Sequence, residues 1–362
     1  MEWNGNKLRQ RVESSGFTQE SFSKKVGVTR PTYNAWIGGQ VPKGIHLIRI
    51  WDVLGLEPDA LFESGRPNVR VVPSHRKRGA AKVTDSTNQA ATALAESFAG
   101  FFDETDAPVL QLVATLRTSE TAVKLASEMR KLMGLGDGHT PPTLRQVFDL
   151  LVKLGVYVVF AKFSEAIKDY AFYTQIKGNR VVFVNTDTNE LDLIFPLLHE
   201  AVHAVRNVCP GEGEAWDAEE DLFCDRVAGL VQFPNGYVED VRAVIQVCAK
   251  GHLIETLKGF SERHHHAIYG LIRRLVEVKA LSQPKNMRPY LMADSGLRKR
   301  HVTLRLHLLD EGHIGNFLDA FKAYSPLWAR LLQHHIGGMT VSRLAECLDL
   351  SYADAKSVID DL

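Results

Sequence analysis

Apolar positions in the first 62 residues recur three and four residues apart, in short runs that glycines interrupt. This spacing predicts short helices. Thr18 is a suitable N-cap for the run that ends at Gly27. Thr29 is a suitable N-cap for the next run, which has Pro31 in its first turn. We therefore expect an N-terminal five-helix bundle over residues 1–65.

The pattern changes after this bundle. Gly, Pro, Ser, Arg and Lys dominate residues 66–90 and the helical period fades, which predicts a linker. Runs rich in Val, Phe and Tyr then predict three strands of a small sheet, over residues 156–163, 169–178 and 179–186. Helical spacing covers most of the remainder. The predicted fold is α+β and mostly helical, with one domain over residues 91–280 and a C-terminal helical accessory domain over residues 281–362.

Composition narrows the class of protein without naming a partner. The chain is 45% hydrophobic and 24% charged, and its 43 Lys and Arg residues balance 43 Asp and Glu residues. Its four cysteines form no CxxC pair, which argues against a disulfide scaffold. The sequence shows neither a signal peptide nor a long apolar span. We expect a soluble cytoplasmic protein with no membrane partner.

The stretch "TQESFSKKVGVTRPTYNAW", residues 18–36, has the layout of a helix-turn-helix, with Gly27 in the tight turn. It resembles the phage-repressor-like (XRE-type) helix-turn-helix family over residues 6–62, which implies DNA binding. The alternative is a helical bundle for protein contact or dimerisation. The basic run at residues 75–78 adds phosphate contacts in one interpretation and is a solvated linker in the other. The positions expected to face DNA are Thr29, Arg30, Thr32, Tyr33 and Asn34.

The stretch "FPLLHEAVHAVRNV", residues 195–208, carries the second constellation. On a helix, His199 and His203 share one face and can bind a single zinc ion. Glu200 follows the first histidine and can take a proton from a zinc-bound water. The alternative is an ordinary buried helix with two partly satisfied histidines. A catalytic zinc site also needs a third protein ligand. The acidic segment 214–234 offers Asp217, Glu219, Glu220, Asp221 and Asp225.

A family resemblance selects among these ligands. "FPLLHEAVHAV" resembles the "FTLAHELGHAL" segment of ImmA/IrrE-type metallopeptidases, and "DLFCDRVAGLVQFP" resembles their "ExEANxFAAxLLMP" segment. The resemblance covers residues 115–280 and implies a zincin-like domain with two active-site helices. Counted back from Pro234, Asp221 falls on the family's ligand glutamate. Glu220 is the runner-up ligand, and Asp225 is placed to orient a histidine from behind. Cys224 is either an inhibitory thiol at the open zinc position or a small buried residue.

The resemblance implies a zinc-dependent endopeptidase that cleaves a helix-turn-helix repressor and so derepresses stress, mobile-element or phage-defence genes. Expected partners are Zn²⁺, a protein substrate, DNA and a second copy of the chain as a homodimer. The alternative is a DNA-binding transcriptional regulator whose zinc fold acts as a sensor without proteolysis. Two further interpretations stay open. One is self-cleavage within residues 63–90, and the other gives the His264–His266 triplet a role in stabilising an oxyanion.

Overall fold

The computed structural model describes residues 2–3, 5–56, 61–63, 69–71, 85–105, 116–136, 138–206, 218–249, 251–309 and 314–361. The chain divides into two compact units, Met1–Asn68 and Val69–Leu362. Among the described helices, none is both long enough and apolar enough to cross a membrane.

The first unit is a small helical domain with its own core. Its described helices are α1 (Gly5–Ser14), α2 (Gln19–Val26), α3 (Arg30–Ile37) and α4 (Gly44–Leu54). Strand β1 (Glu2–Trp3) pairs antiparallel with β2 (Phe62–Glu63). We expected five helices; within the described residues there are four, and a strand lies near the end of the unit. The core contains Leu8, Phe22, Val26 and Trp36.

The turn between α2 and α3 follows the expected signals. The hydroxyl of Thr18 accepts a hydrogen bond from the Ser21 amide, and the Ser21 hydroxyl reaches back to Thr18 to complete a capping box. Gly27 ends α2 with a φ of 78°, in the left-handed region that favours glycine. Thr29 is the N-cap residue of α3 as predicted, but its side chain does not form the expected capping hydrogen bond. Its hydroxyl lies 2.9 Å from that of Thr32 and makes no bond to the helix backbone.

The second unit has a sheet covered by helices. Strands β3 (Val69–Val71), β4 (Tyr157–Ala161), β5 (Ala171–Ile176) and β6 (Asn179–Asn185) form one sheet in the order β3-β5-β6-β4. Strands β4 and β6 are parallel, and the other two pairs are antiparallel. Strands β4 to β6 confirm the three predicted ones. Their nearly continuous burial, in runs rich in Val and Phe, is typical of strands with both faces covered.

The described helices of this unit fall into three groups along the chain. The first group is α5 (Asp85–Phe98), α6 (Ser119–Leu132), α7 (Leu144–Lys153), α8 (Ile194–Arg206) and α9 (Ala218–Gln232). A second group follows as α10 (Asn235–Val247), α11 (Leu253–His264), α12 (Ile268–Glu277) and α13 (Arg288–Arg298). The last group is α14 (Leu304–Leu309), α15 (Ile314–Tyr324), α16 (Pro326–His335), α17 (Val341–Leu348) and α18 (Tyr352–Asp361).

Two segments of the chain differ in structure from what the sequence predicted for them. The segment 66–90, expected to be a linker, contributes β3 to the sheet and the beginning of α5. The region 281–362, expected to be a separate accessory domain, is divided between two cores. Helix α13 packs with α10–α12, whereas α14–α18 add residues such as Trp328 to the core of the sheet. A sequence pattern shows which face of a helix is apolar but does not show which partner covers it.

A cluster of ion pairs fixes the chain just before α8. The carboxylate of Glu190 lies 2.8 Å from Nδ1 of His301 and 3.0 Å from Nδ1 of His307. Hydrogen bonding from His307, supported by His301, lowers the pKa of Glu190 to about 2 despite its partial burial. Two residues later, Asp192 binds the guanidinium of Arg298 through both oxygens. These contacts join the C-terminal helices to the entry of the helix that carries His199.

Candidate metal centre and DNA-reading helix

Helix α8 buries its two histidines and its glutamate together. His199, Glu200 and His203 are each 1% exposed, within a helix whose residues from Pro196 to Val205 are all buried. A histidine at each end of one helical turn places both rings on the same side, and their centroids lie 4.8 Å apart. The sequence motif therefore forms a buried pair of imidazoles, with Glu200 beside it.

Helix α9 brings a carboxylate to the two rings. Oδ1 of Asp221 lies 3.0 Å from Nε2 of His199 and 3.7 Å from Nε2 of His203. The two Nε2 atoms lie 3.1 Å apart. Two imidazole nitrogens and one carboxylate oxygen thus converge within a small volume, and the carboxylate comes from the residue that we expected.

These three atoms have a spacing that suits a zinc ion. Ligand atoms around a tetrahedral zinc at about 2.0–2.1 Å lie roughly 3.3 Å from one another. The observed separations of 3.0, 3.1 and 3.7 Å lie on both sides of that value. Two histidines and one carboxylate are also a ligand set found in catalytic zinc sites, where a fourth position stays open. The residues present therefore fit a zinc ion.

The protonation states of the ligands favour metal binding. Burial lowers the pKa of His203 to about 4, so its ring is neutral near pH 7 and keeps a lone pair for a metal. Burial alone would raise the pKa of Asp221. Its hydrogen bonds with His199 and His203 outweigh burial and hold that pKa well below the usual range. The cluster thus has a carboxylate and a neutral imidazole near pH 7.

Glu200 is held against the sheet. Its Oε2 accepts a hydrogen bond of 2.8 Å from the backbone amide of Tyr173 in β5. Burial is the main cause that raises the pKa of Glu200 to about 8, and the nearby Asp221 charge adds to the shift. A buried carboxyl group with a raised pKa beside two histidines is a common feature of sites that move protons.

Asp225 supports the cluster from behind. Its Oδ1 lies 2.8 Å from Nδ1 of His199, the ring nitrogen that does not face Asp221. An imidazole that binds a metal through one nitrogen commonly uses the other one to contact a carboxylate, which fixes its ring. The structure thus brings Asp225 to His199, one of the two histidines that it was expected to orient, and the orienting role stays a prediction.

Glu220, the runner-up ligand, is engaged elsewhere. Its side chain is fully buried and binds the guanidinium of Arg206 on α8 and, at 2.9 Å, Nε of Arg117. Its Oε1 also lies 4.0 Å from Sγ of Cys224, and that sulfur lies 3.6 Å from Nδ1 of His203. Glu220 therefore approaches the metal cluster from the Nδ1 side of His203. Neither arginine was among the candidate site residues predicted from the sequence. Arg206 was discoverable, since it lies three residues after His203, on a helix expected to face acidic residues.

Cys224 lies beside the cluster but not at the ligand atoms. Its Sγ is 3.6 Å from Nδ1 of His203, whereas the nitrogen near Asp221 is Nε2. In the metal-free site, burial raises the pKa of the thiol well above its usual value. The location of Sγ on the Nδ1 side of His203 agrees with the interpretation of Cys224 as a small buried residue and disfavours the inhibitory thiolate.

The other candidates lie at a distance or outside the described residues. Glu219 is 84% exposed and lies 3.7 Å from Arg117. In the histidine triplet, His266 is fully buried and its Nε2 lies 2.7 Å from the hydroxyl of Tyr237, so it is a core residue. Asp217 and the basic run 75–78 fall outside the described residues, as does most of the segment proposed for self-cleavage.

Helix α3 presents most of the residues expected to contact DNA. Thr29, Arg30 and Asn34 are exposed and Thr32 is half-buried. Tyr33 was placed wrongly, because it is fully buried in the core of the first unit. Its ring packs against Phe22 in an edge-to-face contact with centroids 5.6 Å apart. Tyr33 lies three residues before buried Trp36, so the pair forms the inward face of α3.

We expect Tyr33→Phe to fold and bind DNA like the wild-type protein. The Tyr33 hydroxyl is buried, and none of the described residues forms a hydrogen bond with it, so its removal costs little. In contrast, Tyr33→Ala should lower the free energy of unfolding by about 3–5 kcal/mol through the cavity that it leaves. Thermal unfolding and a DNA-binding assay of both variants check this. Loss of DNA binding in a stably folded Tyr33→Phe variant would return the hydroxyl to the DNA interface.

Comparison with known proteins identifies the first unit only. A family model described as "Helix-turn-helix" matches residues 8–61. The N-terminal unit therefore contains a helix-turn-helix domain. No curated protein and no solved structure matches the chain. Membership of residues 115–280 in the ImmA/IrrE-type metallopeptidases stays a prediction, and the geometry of His199, His203 and Asp221 supports the candidate metal centre independently of it.

Proposed function

We propose that the second unit is a zinc-dependent endopeptidase. The observation that carries this proposal is the convergence of His199, His203 and Asp221 on a common point, with the carboxyl group of Glu200 beside them. Nε2 of each histidine and Oδ1 of Asp221 would hold the ion. When bound there, zinc would lower the pKa of a coordinated water to about 7 and polarise a substrate carbonyl.

Glu200 is the proposed proton carrier. Its carboxylate takes a proton from the attacking water as the water oxygen bonds to the carbonyl carbon of the scissile peptide. It returns the proton to the amide nitrogen as the carbon–nitrogen bond breaks. The amide of Tyr173 holds Oε2 and fixes the direction of the carboxylate. The carboxylate of Asp225, whose Oδ1 lies 2.8 Å from Nδ1 of His199, would hold the ring of His199 by its charge.

We further propose that the N-terminal unit binds DNA and that the substrate is a helix-turn-helix repressor. The exposed face of α3 offers Arg30 and Asn34, side chains that suit guanine or phosphate and adenine, respectively. A peptidase tethered to an operator would meet a repressor bound nearby at a raised effective concentration. Cleavage would then derepress the genes that this repressor controls.

Two measurements test the proposal. Elemental analysis of the purified chain should find one zinc ion per chain. Sequencing of new protein N-termini in cells that express the chain should find cleavage sites, with repressors encoded near its gene as the first candidates. Zinc without any new N-terminus would favour the second candidate function, a transcriptional regulator with a zinc sensor. The low exposure of Glu200 is the observation that favours that alternative.

The DNA-binding part has its own prediction. We expect Arg30→Ala to weaken binding by about 1–3 kcal/mol, the usual value of a good contact between a side chain and a base. The probe is a duplex selected from a random-sequence library by the wild-type protein. Arg9→Ala is the matched control, because it removes the same charge from the exposed face of α1. Equal weakening by the two variants would mean that α3 does not read the duplex.

A further inference from the structure

The backbone of β5 has one side that faces β6 and one side that faces away. The Tyr170 carbonyl accepts a hydrogen bond of 2.9 Å from the Asn185 amide, so residue 170 faces β6. Backbone groups alternate along an antiparallel pair, so Phe172 and Thr174 also face β6, whereas Tyr173 and Gln175 face away. The bond from the Tyr173 amide to Glu200 agrees with this assignment.

Strand β3 covers the same outer side of β5. Arg70 pairs with Gln175, and Val71 pairs with Thr174. Tyr173 and Gln175 are consecutive residues of β5 whose backbone groups face away from β6. Glu200 binds the first of them, and β3 pairs with the second. Such positions are about 7 Å apart. Because the pairing is antiparallel, β3 runs toward Glu200 and ends opposite the neighbour of Tyr173.

We infer that β3 is an internal competitor for the sheet edge on which an extended peptide substrate lies during hydrolysis. This inference rests on the proposed function. An extended peptide binds a sheet edge through main-chain hydrogen bonds and needs outward-facing backbone groups for them. A peptide strand that passes Glu200 and continues along β5 beyond Thr174 needs the position that β3 fills. The proposed substrate class is thus an extended segment that displaces β3.

The edge position of β3 suits displacement. Its described residues, Val69–Val71, pair with β5 alone in the sheet order. A backbone hydrogen bond makes only a small net contribution to stability, so the few bonds that Val69–Val71 form with β5 can be exchanged for those of a longer peptide. The strand therefore limits access to the edge without closing it permanently.

The test uses the full-length chain with Arg70→Pro, which removes the amide hydrogen at a paired position and disfavours β3. Arg70→Ala is the matched control, because it removes the same side chain and keeps the amide. The first readout is hydrogen exchange of residues 171–176. We expect about tenfold faster exchange of the Gln175 amide in Arg70→Pro alone, which corresponds to the loss of about one hydrogen bond.

The second readout is binding of a labelled peptide that has the sequence of residues 66–73 and blocked ends. It should bind Arg70→Pro more tightly than the wild-type chain or Arg70→Ala, and it should restore slow exchange at Gln175. An equal thermal midpoint for the three proteins shows that the sheet is intact. Equal exchange and equal peptide binding in all three would overturn the inference.

The third readout separates this inference from the proposed function. With the edge open, Arg70→Pro should yield more of the new protein N-termini than Arg70→Ala at equal expression. If the edge is open in Arg70→Pro but neither the wild-type chain nor either variant shows hydrolysis that depends on Glu200, the proposed function is overturned. Hydrolysis that is equal in the two variants, although the edge is open only in Arg70→Pro, overturns the competition.

Discussion

Glu200→Gln is expected to reduce peptide hydrolysis by a factor of about 10²–10⁴, the usual contribution of a general acid–base group. Glutamine has nearly the same shape and still offers an oxygen to the Tyr173 amide, which now binds Oε2 of the glutamate. It cannot accept a proton from water at neutral pH. The measurement is the yield of new N-termini in cells that express either protein, together with the zinc content of the purified variant.

The fold and the metal site should survive this change. In the metal-free site, burial raises the pKa of Glu200 to about 8, so the protonated form is favoured at pH 7, and neutral glutamine resembles it in charge. The thermal midpoint of the metal-free variant should therefore not fall. Glu219→Gln, at an exposed position on α9, is the control and should keep wild-type hydrolysis. Cleavage by Glu200→Gln at the wild-type rate would exclude Glu200 as the base.

The sequence predicted the local elements of the site better than their surroundings. The spacing of His199 and His203 requires only one helix, so a pattern of five residues suffices to place both rings. Asp221 came from a resemblance to a family motif, and the structure brings it to the rings despite the shorter side chain. One of the two ion pairs of Glu220 is formed with Arg117, which is 103 residues away in sequence. No local pattern indicates such a contact.

Two errors have a common physical cause. The period of α3 shows that one face is buried, but the choice between Tyr33 and its neighbours depends on where Phe22 lies in the assembled bundle. Strand β3 has three residues in a segment rich in Gly, Pro and Arg, where composition predicts a linker. Its strand conformation comes from pairing with β5 and not from its own propensity. Tertiary contacts decided both cases.

Asp221→Ala is expected to lower zinc affinity by more than about 100-fold. Loss of a residue that only supports a ligand typically costs about 10–100-fold, and loss of a ligand should cost more. Asp225→Asn, which changes the partner of His199 Nδ1, should fall within that smaller range. Both values come from competition with a chromogenic zinc chelator at fixed pH, since protons compete for the same ligand atoms.

Glu220→Gln distinguishes the third ligand from the residue beside it. The side chain of Glu220 is buried against Arg206, and its neutralisation removes the negative charge from that ion pair. Breaking such a pair should lower the free energy of unfolding by about 3–5 kcal/mol. Because Asp221 and both histidines remain, the zinc affinity of the folded fraction should change much less than in Asp221→Ala. The reverse order, with zinc lost in Glu220→Gln and retained in Asp221→Ala, would make Glu220 the ligand and would place the ion on the Nδ1 side of His203.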